Sequence, residues 1–331
     1  MSEATALAHP NFALSKYWGK HPAEGNFPAV PSLSITVSGL STRTNVRFLA
    51  SCSDDRVVIG GREERGAART RVTELLQRVR SAAGDRRHAE VISDNDFPTA
   101  SGLASSASGF AALALAATRA IGLDWDASRV SDLARRSSAS AARSIFGGFV
   151  ELPDVAPGKT APDQLSARPV APAEHLPLAV LIAIATDAPK SLSSSDGMRR
   201  TLERSPYADA WLTEAPRLHE RLRSALLTRD FVAMGELAEA SALAMHAAAI
   251  AAGVCYWDAT TVEALRTVWA LRNQGVETYA TIDAGPHVKV LSRPADALRI
   301  RSALEATPGI CRIVEGTVGE GARLVNPEDP L

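Results

Sequence analysis

Most of the side chains in this sequence that could do chemistry are suited to an anion. Pro98-Thr99-Ala100-Ser101-Gly102-Leu103-Ala104-Ser105-Ser106-Ala107-Ser108-Gly109 crowds small residues at the junction of a loop and an alanine-rich helix. Glycine, serine and alanine let backbone N–H groups approach a polyphosphate, and the positive end of the helix dipole favours it there. The same run would equally serve a tightly packed helix start capped by Ser101. Upstream, Lys16, Tyr17 and Lys20 gather two ammonium groups and a phenol, although lysines beside aromatics more commonly snorkel to solvent. Ser140 and Arg143 share a helix face at i,i+3, with Ser138 close by. Hydroxyls beside a guanidinium fork suit a carboxylate or phosphate, with a plain small-residue packing face as the competing reading. Residues 190–199, with Met198, are Ser/Gly-rich and read as a substrate lid or, on composition alone, a linker. Asp283 ends a strand before Gly285-Pro286, where a rigid scaffold can hold a reactive acid or a turn can bond its own backbone.

The elements that must position these groups follow from periodicity. Strands are predicted at 5–8, 34–38, 44–49, 56–59 and 90–93, with helices at 69–80, 104–121 and 126–136. Six prolines between Pro153 and Pro177 mark an irregular connection, and a domain boundary is expected near its end. Beyond it come a buried strand at 178–185, helices at 208–227, 231–252 and 260–274, strands at 277–282 and 287–291, a helix at 295–306 and a strand at 311–315. The expected organisation is therefore α+β, in two domains, 1–177 and 178–331.

Composition narrows the function. With 331 residues, 46% hydrophobic and 22% charged, the chain can fill two cores. A net charge of −1 gives no global basic field, so nucleic acid is not an expected partner. No apolar run approaches the roughly 20 residues of a membrane span, and the N-terminus does not read as a secretion signal. Cys52, Cys255 and Cys311 are too widely spaced for a zinc knuckle or disulfide framework, which fits a reducing cytoplasm. Neither a dinucleotide fingerprint nor a Walker A loop is present. His246, in an apolar helical pattern, is expected to pack in the core rather than bind a ligand.

At these residues the chain resembles the GHMP kinase superfamily, and within it the diphosphomevalonate decarboxylases. Residues 98–107 are similar to that family's P-T-A-A-G-L-A-S-S-A, and residues 11–20 resemble N-I-A-x-x-K-Y-W-G-K. Residues 137–144 resemble G-S-G-S-A-x-R-S, and Gly147-Gly148-Phe149-Val150-Glu151, Ser194–Met198 and Asp283-Ala284-Gly285-Pro286 also match in order. The resemblance implies an N-terminal domain like ribosomal protein S5 domain 2, a ferredoxin-like C-terminal domain and a cleft between them. It implies ATP-dependent decarboxylation of (R)-5-diphosphomevalonate to isopentenyl diphosphate, through phosphorylation of the C3 hydroxyl. In that reaction Asp283 and Lys16 would face the hydroxyl and Arg143 the C1 carboxylate. Tyr17, Lys20, Ser138, Ser140 and Met198 would complete the substrate site. Ser93, Asn95, Pro98, Ser101, Gly102, Leu103, Ala104, Ser105 and Ser106 would line ATP, with Mg²⁺ near Ser105 or Ser106. A homodimer is implied as well.

Departures from the pattern bear on the substrate's 5-position. Ser137 and Ala139 replace glycines, His21-Pro22 replaces Arg-Asp, Pro31 replaces a polar residue, and His287 replaces an asparagine. Asp96 and Asp196 add acids beside an expected polyphosphate, where they must be paired or turned away. A 5-monophosphate or 3,5-bisphosphate decarboxylase, or a non-catalytic nucleotide-binding paralogue, stands as the alternative.

Overall fold

Thr42–Leu49 alternates inward and outward side chains, so Val46 and Phe48 reach one apolar layer while Arg43, Asn45 and Arg47 lie on the opposite face. That strand is central to the first sheet of the computed structural model, which describes residues 2–51, 53–97, 105–156, 158–188 and 192–329. The first part of the chain runs β1 (Glu3–Ala8), β2 (Asn11–Ser15), β3 (Ser32–Thr36), β4 (Thr42–Leu49), β5 (Arg56–Ile59), β6 (Arg62–Glu63), α1 (Ala67–Ala83) and β7 (His88–Asn95). It continues through α2 (Ser105–Ala120), α3 (Ala127–Ser137), the short α4 (Ala141–Ser144), β8 (Phe149–Leu152) and β9 (Arg168–Ala171). The second part comprises β10 (Ala179–Ile184), α5 (Ser194–Arg204), α6 (Ala208–Leu227), α7 (Phe231–Ala251), α8 (Ala259–Asn273), β11 (Thr278–Ile282), β12 (Val288–Ser292), α9 (Ala297–Glu305), β13 (Arg312–Thr317) and β14 (Arg323–Val325).

Three sheets result. The first has the order β14-β1-β4-β7-β5-β6, and α2 lies on β1 and β4. Alanines 111, 112, 114, 116 and 117 of α2 are fully buried, and their small side chains let the helix approach the sheet closely. The second sheet is β2-β3-β8-β9. The third, β11-β12-β10-β13, is antiparallel throughout and has the ferredoxin-like order, with α8 and α9 on one face. Its other face shares a core with the second sheet: Phe12, Leu14 and Ile35 meet Val180, Ile182 and Ile184, and α6 and α7 close the layer. That shared core fixes the two halves on either side of the cleft.

Several stretches depart from the expected elements: β2, β8, β9 and β14 are strands that periodicity does not mark, β9 within the proline-rich connection, and two departures bear on the site. Of residues 190–199, read as a lid or linker, 194–199 form the first turns of helix α5 (Ser194–Arg204). Ser193 caps it by accepting the Asp196 N–H, and Trp18 Nε1 donates to Thr201 Oγ1 from below. After β13 the chain returns to the first sheet, where β14 pairs with β1. The Gly147-Gly148 turn lies against this return: a Cβ on Gly147 would stand 2.6 Å from the Gly321 nitrogen, and Gly148 has φ +75° and donates its N–H to the Gly319 carbonyl. That motif is explained by chain crossing.

Candidate functional site

Between the halves lies a cleft of about 870 Å³, lined by Lys16, Tyr17, Lys20, Arg143 and Asp283 together. Asp283 follows β11, so its backbone is anchored while its carboxylate stays partly open, 25% exposed. Lys16 follows β2, and its ammonium donates to Asp283 Oδ1 at 2.7 Å and to the Ala13 carbonyl at 2.9 Å. Lys289, on β12, stands 3.4 Å from Asp283 Oδ2. Burial opposes the Asp283 charge, yet the two ammonium groups hold its carboxyl well below the usual carboxylate range. Burial draws Lys16 down to about 8; Asp283 opposes that fall, while Lys289 and Arg143 add to it. A carboxylate tied to two cations is a weak base but a well-oriented hydrogen-bond acceptor.

Arg143 sits on α4, buried, and is held by its neighbours in one pose. Its Nε donates to Asn11 Oδ1 and Ser34 Oγ, and its Nη1 donates to Ser32 Oγ at 2.6 Å. Asn11 in turn donates to the Ser140 carbonyl and Ser144 Oγ, which ties α4 to β2. Burial lowers Arg143 only to about 10, so it remains a cation. Ser138 and Ser140 face one another at 3.2 Å beside it. The Tyr17 phenol is buried with no hydrogen-bond partner in the structure, and its pKa is raised by that burial. An orphaned hydroxyl in a cleft lining calls for a ligand acceptor.

Lys20 marks the far end of the same pocket. Its ammonium donates to Asn26 Oδ1 at 2.7 Å and to Ser195 Oγ at 2.8 Å, so the start of α5 and the loop after Lys20 converge on it. Met198 of α5 also lines the cleft. Trp18 and Tyr256 meet edge to face at 6.0 Å beneath α5, and the Tyr256 hydroxyl donates to the Ser193 carbonyl.

The opposite end is apolar. Val57, Ile59, Val91, Phe110 and Leu113 form its wall, and the Arg71 guanidinium lies 4.5 Å over the Phe110 ring. Ser93, Asn95, Ser105 and Ser106 line the passage between the two ends. Ser93 bonds Thr44 at 2.8 Å, and Thr42 donates to Asn95 Oδ1. Pro98, Ser101, Gly102, Leu103 and Ala104 lie outside the described residues.

Five of the departures can be placed in the structure. Asp96 accepts from the Ser41 N–H and hydroxyl, and Asp196 is taken up by Ser193 and Arg199; neither lines the cleft. Ala139 packs with Val150 and Leu152, while the Ser137 hydroxyl is buried without a partner. His287 is buried, its Nδ1 accepting the Ala185 N–H. His246 lies in the core against Trp257, and burial lowers its pKa to about 3. Sequence reasoning missed Lys289, Asn26, Arg71 and the apolar wall. A lysine in a strand between valines reads as an outward residue, and only the Asp283 turn just ahead of it offered a signal.

A split α+β scaffold with a cleft between its halves, one side of it lined by the start of α2, is the GHMP kinase architecture. The chain belongs to the diphosphomevalonate decarboxylase family. Residues 8–161 match the model of the diphosphomevalonate decarboxylase-like N-terminal domain, and residues 180–317 match that of the mevalonate 5-diphosphate decarboxylase C-terminal domain. The diphosphomevalonate decarboxylase of Candida albicans is 31% identical, with 97% of each chain covered. The phosphomevalonate decarboxylase of Haloferax volcanii is 33% identical, with 99% of each covered. A solved structure of MDDEF in complex with MVAPP, AMPPCP and magnesium superposes with a TM-score of 0.90 at 37% identity, covering 98% of this chain and 99% of that one.

Proposed function

We propose that the chain decarboxylates (R)-5-diphosphomevalonate at the expense of ATP, giving isopentenyl diphosphate, CO₂, ADP and phosphate. The observation that carries this reading is the Lys16–Asp283 pair facing the same cleft as buried Arg143, in a member of this family. Arg143 would hold the C1 carboxylate, and Asp283 with Lys16 the C3 hydroxyl. Tyr17, Lys20, Ser138 and Ser140 would hold the 5-phosphates with Met198 beside them, and the apolar end would take the adenine.

The C3 oxygen attacks the γ-phosphorus of ATP, its O–H bond breaks and ADP departs. In a loose transition state the nucleophile needs orientation more than early deprotonation, so the proton passes late to Asp283. The C3–O bond then breaks with its electron pair leaving on phosphate. The C1–C2 pair becomes the C2=C3 bond as CO₂ is expelled. A tertiary hydroxide would leave far less readily than phosphate, which is why the first step is needed. Asp283, held well below the usual carboxylate range, would pass that proton on to solvent, and its restored charge would then stabilise positive character developing at C3.

Among the described residues no cluster of three or more His, Cys, Asp or Glu could hold a metal. The hydroxyl-bearing Ser105 and Ser106 at the start of α2 fit Mg²⁺, an ion bound chiefly through nucleotide phosphates and water, which would neutralise charge on the transferring phosphoryl group. A cytoplasmic homodimer and a division at 1–177 and 178–331 belong to the same reading. The change of sheet between β9 and β10 supports the division, with β14 crossing back.

ATP-dependent CO₂ release should be measured on mevalonate, its 5-phosphate, its 5-diphosphate and the 3,5-bisphosphate. Turnover of the 5-diphosphate is expected. The 5-monophosphate is the second reading, carried by the Haloferax volcanii relative, and turnover of it alone would replace the first. ATP binding with no CO₂ from any of the four would leave a non-catalytic nucleotide binder.

A further inference from the structure

Lys289 occupies a place where β12 calls for an aliphatic side chain. Its neighbours Val288 and Val290 enter the apolar layer under α8 and α9, while Leu291, on Lys289's own face, joins the core that contains Phe12. Lys289 is 0% exposed, and its ammonium lies 5.1 Å from the centroid of the Phe12 ring. An ammonium so far from water is held only where an opposite charge compensates it. Among the described residues its ion-pair partner is Asp283, through the oxygen that Lys16 does not take. The chain has 36 basic residues, of which only five are lysines (16, 20, 159, 190 and 289), and two of those five converge on one carboxylate. Nearly all of the chain's other positive charge comes from arginine. At position 289 a compact ammonium stands between the Phe12 ring and Asp283.

We propose that Lys289 is a positioning residue for phosphoryl transfer, anchoring Oδ2 of Asp283 so that the carboxylate keeps one orientation when the substrate hydroxyl competes for it with Lys16. This rests on the reading of Asp283 given above. With only Lys16 attached, the carboxylate could turn about its Cβ–Cγ bond; a cation on each oxygen removes that freedom. The second ammonium has a further consequence. Lys16 is faced by Asp283 after β11, Lys289 on β12, Arg143 on α4 and neutral His246 on α7, so removing the Lys289 charge removes a like charge and raises the Lys16 pKa.

K289M, similar in length and apolar, tests both consequences. Misplacement of a catalytic group costs up to about a hundredfold, so kcat for CO₂ release should fall between tenfold and about a hundredfold with the KM for ATP nearly unchanged. In protein labelled at lysine Cε with ¹³C, the Lys16 resonance should titrate near 8 in the wild type and clearly higher in K289M. That NMR readout needs no substrate. If the wild type releases no CO₂ the proposed activity falls, while the titration still decides whether Lys289 acts on this ion cluster. Should K289M not fold, K289Q carries both measurements. A kcat within twofold of wild type, or a Lys16 titration that does not move, overturns the proposal.

Discussion

The Lys16 ammonium and the Asp283 carboxylate, 267 positions apart, meet at 2.7 Å across the seam between the second and third sheets. Each is presented by the end of a strand, and neither strand can shift without disturbing the Phe12, Val180 and Ile182 core. The pair is thus assembled by tertiary packing before any ligand arrives. Pre-set charge of this kind avoids reorganisation at the moment of reaction.

Asp283→Asn keeps the shape of the side chain and removes its charge. Lys16 and Lys289 would then share a neutral amide, and the hydroxyl proton would have no acceptor. A fall in kcat of roughly a hundredfold to ten-thousandfold is expected, with little change in ATP affinity, because the end of the cleft proposed for the nucleotide is untouched. Single-turnover ³²P transfer and ATP binding measured on the same preparation check this; near-normal transfer would remove Asp283 from the chemistry.

On the role proposed for Lys16, the activity should show a basic limb. In the free enzyme Lys16 deprotonates near 8, so kcat/KM should fall above that pH. Bound phosphates favour its charged form, and the limb in kcat should lie higher. Stability runs the other way: the native pKa of Lys16 is depressed, so the unfolded chain binds more protons between about 8 and 10.5, and this group's contribution to stability rises with pH there. Paired pH profiles of kcat and kcat/KM with coincident limbs would contradict the assignment of Lys16.

How far the sequence could be read depended on whether a residue's environment was local. Strand 56–59 and helix 208–227 were legible to the residue, because periodicity is a property of the segment itself. Helix α5 was not: Ser194, Ser195 and Gly197 are poor helix formers, and the helix exists because Ser193 caps it and Trp18 and Tyr256 support it from elsewhere in the chain. Lys16, Arg143 and Asp283 were legible as a set only through their resemblance to family motifs. Lys289 had no motif to mark it, since burial of a strand lysine is decided by what covers the sheet.

Gly197 is where α5 rests on its aromatic support. A Cβ there would strike the Tyr256 hydroxyl and come within 3.0 Å of the Trp18 ring. Gly197→Ala should therefore lift α5, weaken the Ser195 contact to Lys20 and raise the KM for the phosphorylated substrate, with an overpacking cost of about 1–3 kcal/mol. Because the hydroxyl is the nearest obstacle, Tyr256→Phe in the Gly197→Ala background should recover part of the loss. Thermal unfolding and KM for the wild type, the two single variants and the double variant give the cycle, and strict additivity would argue against this contact.

Asp55 controls the opposite end of the cleft through structure alone. Its carboxylate, 1% exposed, accepts from Arg80 Nη1 at 2.7 Å and Nη2 at 3.0 Å and from the Ala89 N–H at 2.9 Å. Those bonds join the start of β5, the end of α1 and the start of β7. The same three elements supply Val57, Ile59, Ala68 and Val91 to the cleft's apolar wall. Asp55→Asn would leave the Arg80 guanidinium buried without its counter-charge, a loss of about 3–5 kcal/mol. Replacing both by leucine should cost less than either polar truncation, because no buried charge remains. The wall should loosen with the bridge, raising the KM for ATP while the KM for the mevalonate substrate, proposed to bind at the far end, holds. Urea unfolding of Asp55→Asn and of the double variant measures the first part, and two-substrate kinetics the second. A loss below about 1 kcal/mol in Asp55→Asn would show that this pair does not secure the nucleotide wall.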